Sequence, residues 1–183
     1  MQITGFKEFK LMLKSTFIPL KVSVLSISDT RTIENDISGN LLANKVVDAG
    51  HILLKRALCN DSIYAVRAIV SNWIADEENQ VIITTGGTGV TGRDGTPEAM
   101  QPLFDKTLDG FGEIFRYLSF LDIKTSSLQS RALAGVANST YIFVLPGSKN
   151  ACKLAWDQII SQQLNIQTKP CNLAQLTDRL DEK

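Results

Sequence analysis

The sequence predicts a doubly wound α/β domain, and three observations carry that reading. Residues 21–28 (KVSVLSIS), 51–58 and 81–84 (VIIT) are short, apolar, largely β-branched runs with the density of buried parallel strands. Between them lie two stretches whose apolar residues recur at helical spacing: Leu41, Leu42, Val46 and Val47, then Ile63, Val66, Ile69, Val70, Trp73 and Ile74. A glycine-rich loop leaves the third strand and enters a helix start, completing a β-α-β-α-β order.

Composition bounds the function classes. A chain of 183 residues is long enough for one domain with its own core. Charges balance, 19 basic against 19 acidic, so there is no electrostatic footprint for nucleic acid. No stretch approaches the ~20 apolar residues of a membrane span. Cys59, Cys152 and Cys171 are scattered and odd in number, which predicts structural thiols in a reducing, cytoplasmic compartment. His51 is the only histidine, which argues against a zinc site or a His-based triad.

In chain order, residues 1–16 read as a short amphipathic extension; Lys7, Lys10 and Lys14 interrupt its apolar residues, so no export signal is expected. The first strand ends in Ser28-Asp29-Thr30-Arg31, small polar residues placed where open α/β sheets bind ligands. Asp36-Ile37-Ser38-Gly39 starts a helix that runs to Gly50. The second strand leaves through Cys59-Asn60-Asp61-Ser62, with Asp61 either a helix cap or a functional acid. Residues 103–118 predict one or two helices broken at Gly110 and Gly112, with aromatic residues in excess of one core-facing stripe and hence a candidate subunit interface. Residues 125–137 read as a Ser-rich helical stretch. The strand at 140–145 (TYIFVL) runs into Pro146-Gly147-Ser148-Lys149-Asn150 and another helix, a second strand–turn–helix start able to take a phosphate or a ring edge. Residues 166–183 are polar and predict a surface tail with little structure of its own.

The loop at 84–99 concentrates the chemistry. Gly86, Gly87 and Gly89 lack the β-carbons that would keep an oxyanion off their amides, and Thr96-Pro97-Glu98 reads as a helix start with Thr96 as the cap. Gly87 to Gly92 satisfies G-x-G-x-x-G, but Arg93-Asp94-Gly95 intervenes before the helix, and no acid ends a second strand about 20 residues on, so a dinucleotide-dependent oxidoreductase is disfavoured. Arg93-Asp94 also stands where a P-loop requires Lys-Ser/Thr. A carboxylate at Asp94 beside phosphate-binding amides would repel a polyphosphate unless a cation lay between, which makes Asp94 a candidate Mg²⁺ ligand; the alternative is a turn cap.

These motifs resemble those of a known family. TTGGTG followed by RDGTPEA at 84–99, GFGEIFRYLS at 110–119, LQSRALAG at 128–135 and LPGS at 145–148 are similar to the MoaB/MogA family of molybdenum-cofactor biosynthesis proteins, and KPCNL at 169–173 resembles its bacterial MoaB branch. The likeness runs from about Phe17 to Leu173. It implies a three-layer α/β/α domain over 17–165, with a mixed, mostly parallel sheet, assembling as a homo-trimer or homo-hexamer. It also implies molybdopterin as ligand and, for catalytic members, Mg²⁺-dependent transfer of AMP from ATP to its terminal phosphate. The family's two functional aspartates match Asp61 and Asp94. Ser28, Asp29, Gly86, Gly87, Thr88, Gly89, Ser130 and Ser139 would hold pterin and phosphates, and Pro146, Gly147 and Ser148 would line the far wall. Lys149 or Arg93 could neutralise leaving pyrophosphate. Cys59-Asn60 and Ser62 depart from the Pro-Asp-Glu usual in the MogA branch, so the alternative is a non-catalytic oligomer that binds a pterin or its precursor.

Overall fold

A computed structural model of the chain describes residues 16–182, so the extension expected at 1–16 lies, but for Thr16, outside the described residues. One six-stranded sheet runs through the domain, in the order β2-β1-β3-β6-β5-β4. Strands β1 (Lys21–Ile27), β2 (Ile52–Cys59), β3 (Val81–Thr85) and β6 (Thr140–Leu145) are parallel; β4 (Lys106–Thr107) and β5 (Leu133–Ala137) form an antiparallel edge. Every residue of β3 and of β6 is buried, because alternate side chains face two different helix layers. Val81, Ile83, Tyr141, Phe143 and Leu145 pack under α1 (Ile37–Asp48), α4 (Asp109–Ile123) and α5 (Lys149–Ala155, continued by a π-helical turn at Trp156–Ile160). Ile82, Ile142 and Val144 pack on the opposite face under α2 (Ile63–Ile74) and α3 (Thr96–Met100). This is the expected three-layer, mostly parallel α/β/α domain.

Four expectations are corrected. Residues 125–137 are not a helix: a 3₁₀ turn at Lys124–Gln129 leads into β5. Asn138 and Ser139, with φ of 43° and 62°, make a two-residue turn between Ala137 and Thr140, the left-handed pair that suits a tight hairpin, and the pairing of LAGVA with TYIFVL outweighs its helix propensity. The break expected at Gly110 and Gly112 falls earlier, at 104–108, where β4 intervenes, and α4 begins at Asp109 and runs through both glycines. Gly112 instead permits close approach: a β-carbon there would lie 2.9 Å from the Ala132 carbonyl oxygen. The cap of α3 is Gly95, with Thr96 its first residue. Finally, the C-terminal segment is docked. Tyr141 Oη donates to the Leu173 carbonyl at 2.9 Å, and Leu173, Ala174 and Leu180 pack against the core.

Candidate functional site

Strand order decides where loops separate. The chain leaves β1 to the α1 face and β3 to the opposite, α3 face, so the exits of these neighbouring strands diverge at the carboxyl edge of the sheet, which is where doubly wound folds open a crevice. Four exits meet there: 28–36 after β1, 60–62 after β2, the glycine loop after β3, and 146–148 after β6. Their contact is backbone against backbone. Gly86 (φ +112°) donates its N–H to the Leu145 carbonyl at 3.1 Å, and a β-carbon there would collide with the Ile27 carbonyl. A β-carbon on Gly147 would come within 3.3 Å of Gly86 Cα.

The two aspartates close over this loop. A β-carbon on Gly87 would lie 2.7 Å from Asp61 Oδ1, and one on Gly89 2.6 Å from Asp94 Oδ2. The glycines thus make room for the aspartates, and the Gly86 N–H, expected to be open to an oxyanion, is taken by the Leu145 carbonyl. Asp94 Oδ2 accepts from Thr91 N (2.9 Å) and Thr91 Oγ1 (2.6 Å). The Thr91 hydroxyl is the main reason the Asp94 carboxyl is held below the usual carboxylate range, so it stays charged. Asp61 moves the other way: burial pushes its carboxyl up, and the neighbouring charges of Asp29 and Asp94 add to that. Asp29 Oδ1 accepts the Asp61 N–H at 3.0 Å, and Asp29 also pairs with Arg93.

The remaining expected residues divide. Thr88 is buried within the loop, and Ser28, partly exposed, is the first residue after β1. The Pro146-Gly147-Ser148 turn lies against Gly86, with its carbonyls tied back: Pro146 O accepts from Thr85 Oγ1 (2.9 Å) and Gly147 O from Ser38 Oγ (2.8 Å). Ser148 is turned to structural use, its hydroxyl capping α5 by accepting from Ala151 N at 3.2 Å. Ser130 lies on a neighbouring cavity of about 510 Å³ between α3, α4 and β5. Ser139 does not join the cluster. It occupies the β5–β6 turn at the opposite edge of the sheet, beside Asn79, Gln80 and Thr177. The α3 helix has only five residues, so a helix terminus adds little positive potential to the loop.

Sequence reasoning missed Arg131. Its Nε donates to Gly89 O at 2.7 Å, and its two terminal nitrogens reach Asp94 O and the Glu98 carboxylate. One guanidinium therefore holds the glycine loop at two carbonyls and walls the 510 Å³ cavity from an open groove of about 410 Å³ lined by Thr91, Gly92 and Asp94. Only its place in the SR pair beside Ser130 marked it. Among the described residues no three Asp, Glu, His or Cys side chains come together as a metal cage. The oxygen donors of Asp61 and Asp94 nonetheless suit a hard divalent ion that takes its other ligands from substrate phosphates and water. Burial is the larger cause of the raised Asp61 carboxyl; such an ion would relieve the lesser part that comes from the charges of Asp29 and Asp94.

Fold and loop cluster together define a class: a doubly wound α/β protein whose glycine loop and two aspartates meet at the carboxyl edge of its sheet. The family model described as "Probable molybdopterin binding domain" matches residues 23–166. Over 156 residues the chain is 51% identical to molybdenum cofactor biosynthesis protein B of Escherichia coli (strain K12), covering 85% of this chain and 92% of that one. Against the protein of the same name from Staphylococcus epidermidis it is 42% identical over 155 residues, covering 80% and 86%. A crystal structure of molybdenum cofactor biosynthesis protein B superposes with a TM-score of 0.82 at 35% identity, over 91% of this chain and 98% of that one. The tungsten cofactor synthesizing protein MoaB from Pyrococcus furiosus superposes at 0.71 and 32% identity, over 79% and 92%. The chain belongs to the MoaB/MogA family of molybdenum-cofactor biosynthesis proteins and carries its molybdopterin-binding domain. Among the described residues no helix is long and apolar enough to cross a membrane.

Proposed function

We propose that the protein binds molybdopterin and transfers AMP from ATP to its terminal phosphate with Mg²⁺, releasing pyrophosphate. The observation that supports this reading is the closure of Asp61 and Asp94 over Gly87 and Gly89, two carboxylates against amides suited to phosphate. No covalent nucleophile on the protein is needed. A molybdopterin phosphate oxygen attacks the α-phosphorus of ATP, the α–β bridging bond breaks, and pyrophosphate carries away the electron pair. The chain's part is alignment and charge stabilisation. Asp94, already ionised, is the residue assigned to Mg²⁺, which when bound would neutralise phosphate oxygens. Asp61 orients the attacking group or shares the ion. The glycine-loop amides and Arg93 face the phosphates, and Ser28 and the 146–148 wall bound the pterin. The working form is a cytoplasmic homo-trimer or homo-hexamer. The outer face of α4 supports assembly, with Ile114, Tyr117, Phe120 and Leu121 all exposed.

A second reading has its own observation. Thr91 fully occupies Asp94 Oδ2, as it would if Asp94 were only a turn cap, in a non-catalytic oligomer that holds a pterin or its precursor. Incubation with molybdopterin, Mg²⁺ and α-labelled ATP separates them. Adenylylated pterin from wild type but not from Asp94→Asn supports the transferase; pterin binding without product supports the second reading.

A further inference from the structure

The β1 exit offers a carboxylate where a phosphate-binding loop would be expected to avoid one. Asp29 is exposed, yet both its oxygens are engaged: Oδ1 accepts the backbone N–H of Asp61 at 3.0 Å, and Oδ2 pairs with Nη2 of Arg93. Three loops, after β1, β2 and β3, are thereby joined at one side chain. The Asp61 N–H is the main reason Asp29 is held below the usual carboxylate range, with Arg93 adding to it. The Arg93 side chain is 68% exposed and Asp29 39%, so the pair contributes little to folding and is easily exchanged. Burial is the main reason the Asp61 carboxyl is raised; the charges of Asp29 and Asp94 add to it and Arg93 opposes it.

We infer that Asp29 is a positioning residue and not a ligand contact: it fixes Asp61 through the backbone and holds Arg93 in reserve as the counter-ion that a polyphosphate displaces. The inference deepens the proposed use of ATP and rests on that reading for its ligand class, a polyphosphate. With the glycine loop empty, Asp29 neutralises Arg93. When a polyphosphate enters, its oxygens replace the Asp29 carboxylate on the guanidinium, a trade of one charge-assisted hydrogen bond for another. Asp29 keeps the Asp61 N–H throughout, so Asp61 does not move with Arg93.

The signature is a pair of opposite effects. In Asp29→Asn the amide oxygen still accepts the Asp61 N–H, but Arg93 loses its competitor, and inorganic pyrophosphate should bind about fivefold more tightly. In Arg93→Ala a phosphate contact is gone, and pyrophosphate should bind about tenfold more weakly. In the double variant the gain from Asp29→Asn should shrink. The measurement is calorimetric titration of the full chain with pyrophosphate, with and without Mg²⁺, beside a thermal melt that should not shift for either variant. A merely structural role would weaken binding in both variants and lower both melting temperatures. That outcome, equal affinities throughout, or no pyrophosphate binding by wild type would overturn the inference. Adenylyl transfer is measured separately on wild type, so a transferase with unresponsive pyrophosphate binding refutes the Asp29 role alone. Opposite shifts in a protein that transfers no AMP leave the Asp29 role standing and refute the transferase.

Discussion

Arg131→Ala tests whether one side chain holds the glycine loop in place. The substitution strips a charged donor from two carbonyls, Gly89 O and Asp94 O, and removes the pair with Glu98. A hydrogen bond to a charged group contributes about 1.5–3 kcal/mol, less where water can replace the lost donor. Arg131 is 31% exposed, so the two carbonyl contacts together are taken at about 2–3 kcal/mol. Glu98 is 52% exposed and its ion pair adds about 0–1 kcal/mol. For a chain of this size the loss lowers the melting temperature by about 5–10 °C. Arg131→Lys, a point charge without the planar fork, should recover about half of that. Glu98→Gln should change it by about 1 °C, because the carbonyls and not the ion pair carry the effect. Differential scanning calorimetry gives the first readout. Amide exchange at Thr91 and Asp94, whose N–H groups bond within the loop, gives the second. A melting temperature for Arg131→Ala within about 1 °C of wild type, with exchange across the loop unchanged, would refute the reasoning.

Gly87→Ala forces a β-carbon onto φ +62° and against Asp61 and Thr96, and should cost about 2–4 kcal/mol and displace Asp61, read by denaturant unfolding and by loss of product together. Asp36 has no exposed side-chain surface; burial works against its charge, but the Gly39 N–H and Arg56 prevail and hold the carboxyl below its ordinary value of 3.8. A depressed carboxyl contributes stability that is complete above the unfolded value and is lost as pH falls through the folded one. Melts should therefore drop below about pH 4, and Asp36→Asn should be less stable at pH 7 with a flatter acid limb; an unchanged limb counts against the assignment. Tyr117→Glu with Leu121→Glu, on the exposed face of α4, should reduce the mass seen by light scattering while leaving the monomer's circular dichroism intact; an unchanged mass would move the proposed interface elsewhere.

Much of the domain was legible without coordinates. Buried β-branched runs marked β1, β2, β3 and β6 because a strand covered on both faces must be apolar throughout, and a glycine run between strand and helix marked the loop because few other residues reach its backbone angles. Asp61 and Asp94 were legible as acids at strand exits. What escaped was everything whose cause lay across the chain. The LAGVA segment is a strand only because TYIFVL lies beside it, and Lys106-Thr107 is too short to show a period. Ser139 matched a family serine by position, but the hairpin carries it to the far edge of the sheet. Arg131 binds carbonyls 37 and 42 residues away, and Asp29 binds an amide 32 residues on and a guanidinium 64 residues on. Local sequence, acting through side-chain period and backbone sterics, determined which segments are strands, which are helices and where the glycine loop stands. Tertiary packing alone decided which distant charges meet over that loop, because a hydrogen bond to a backbone group leaves no trace in its partner's identity.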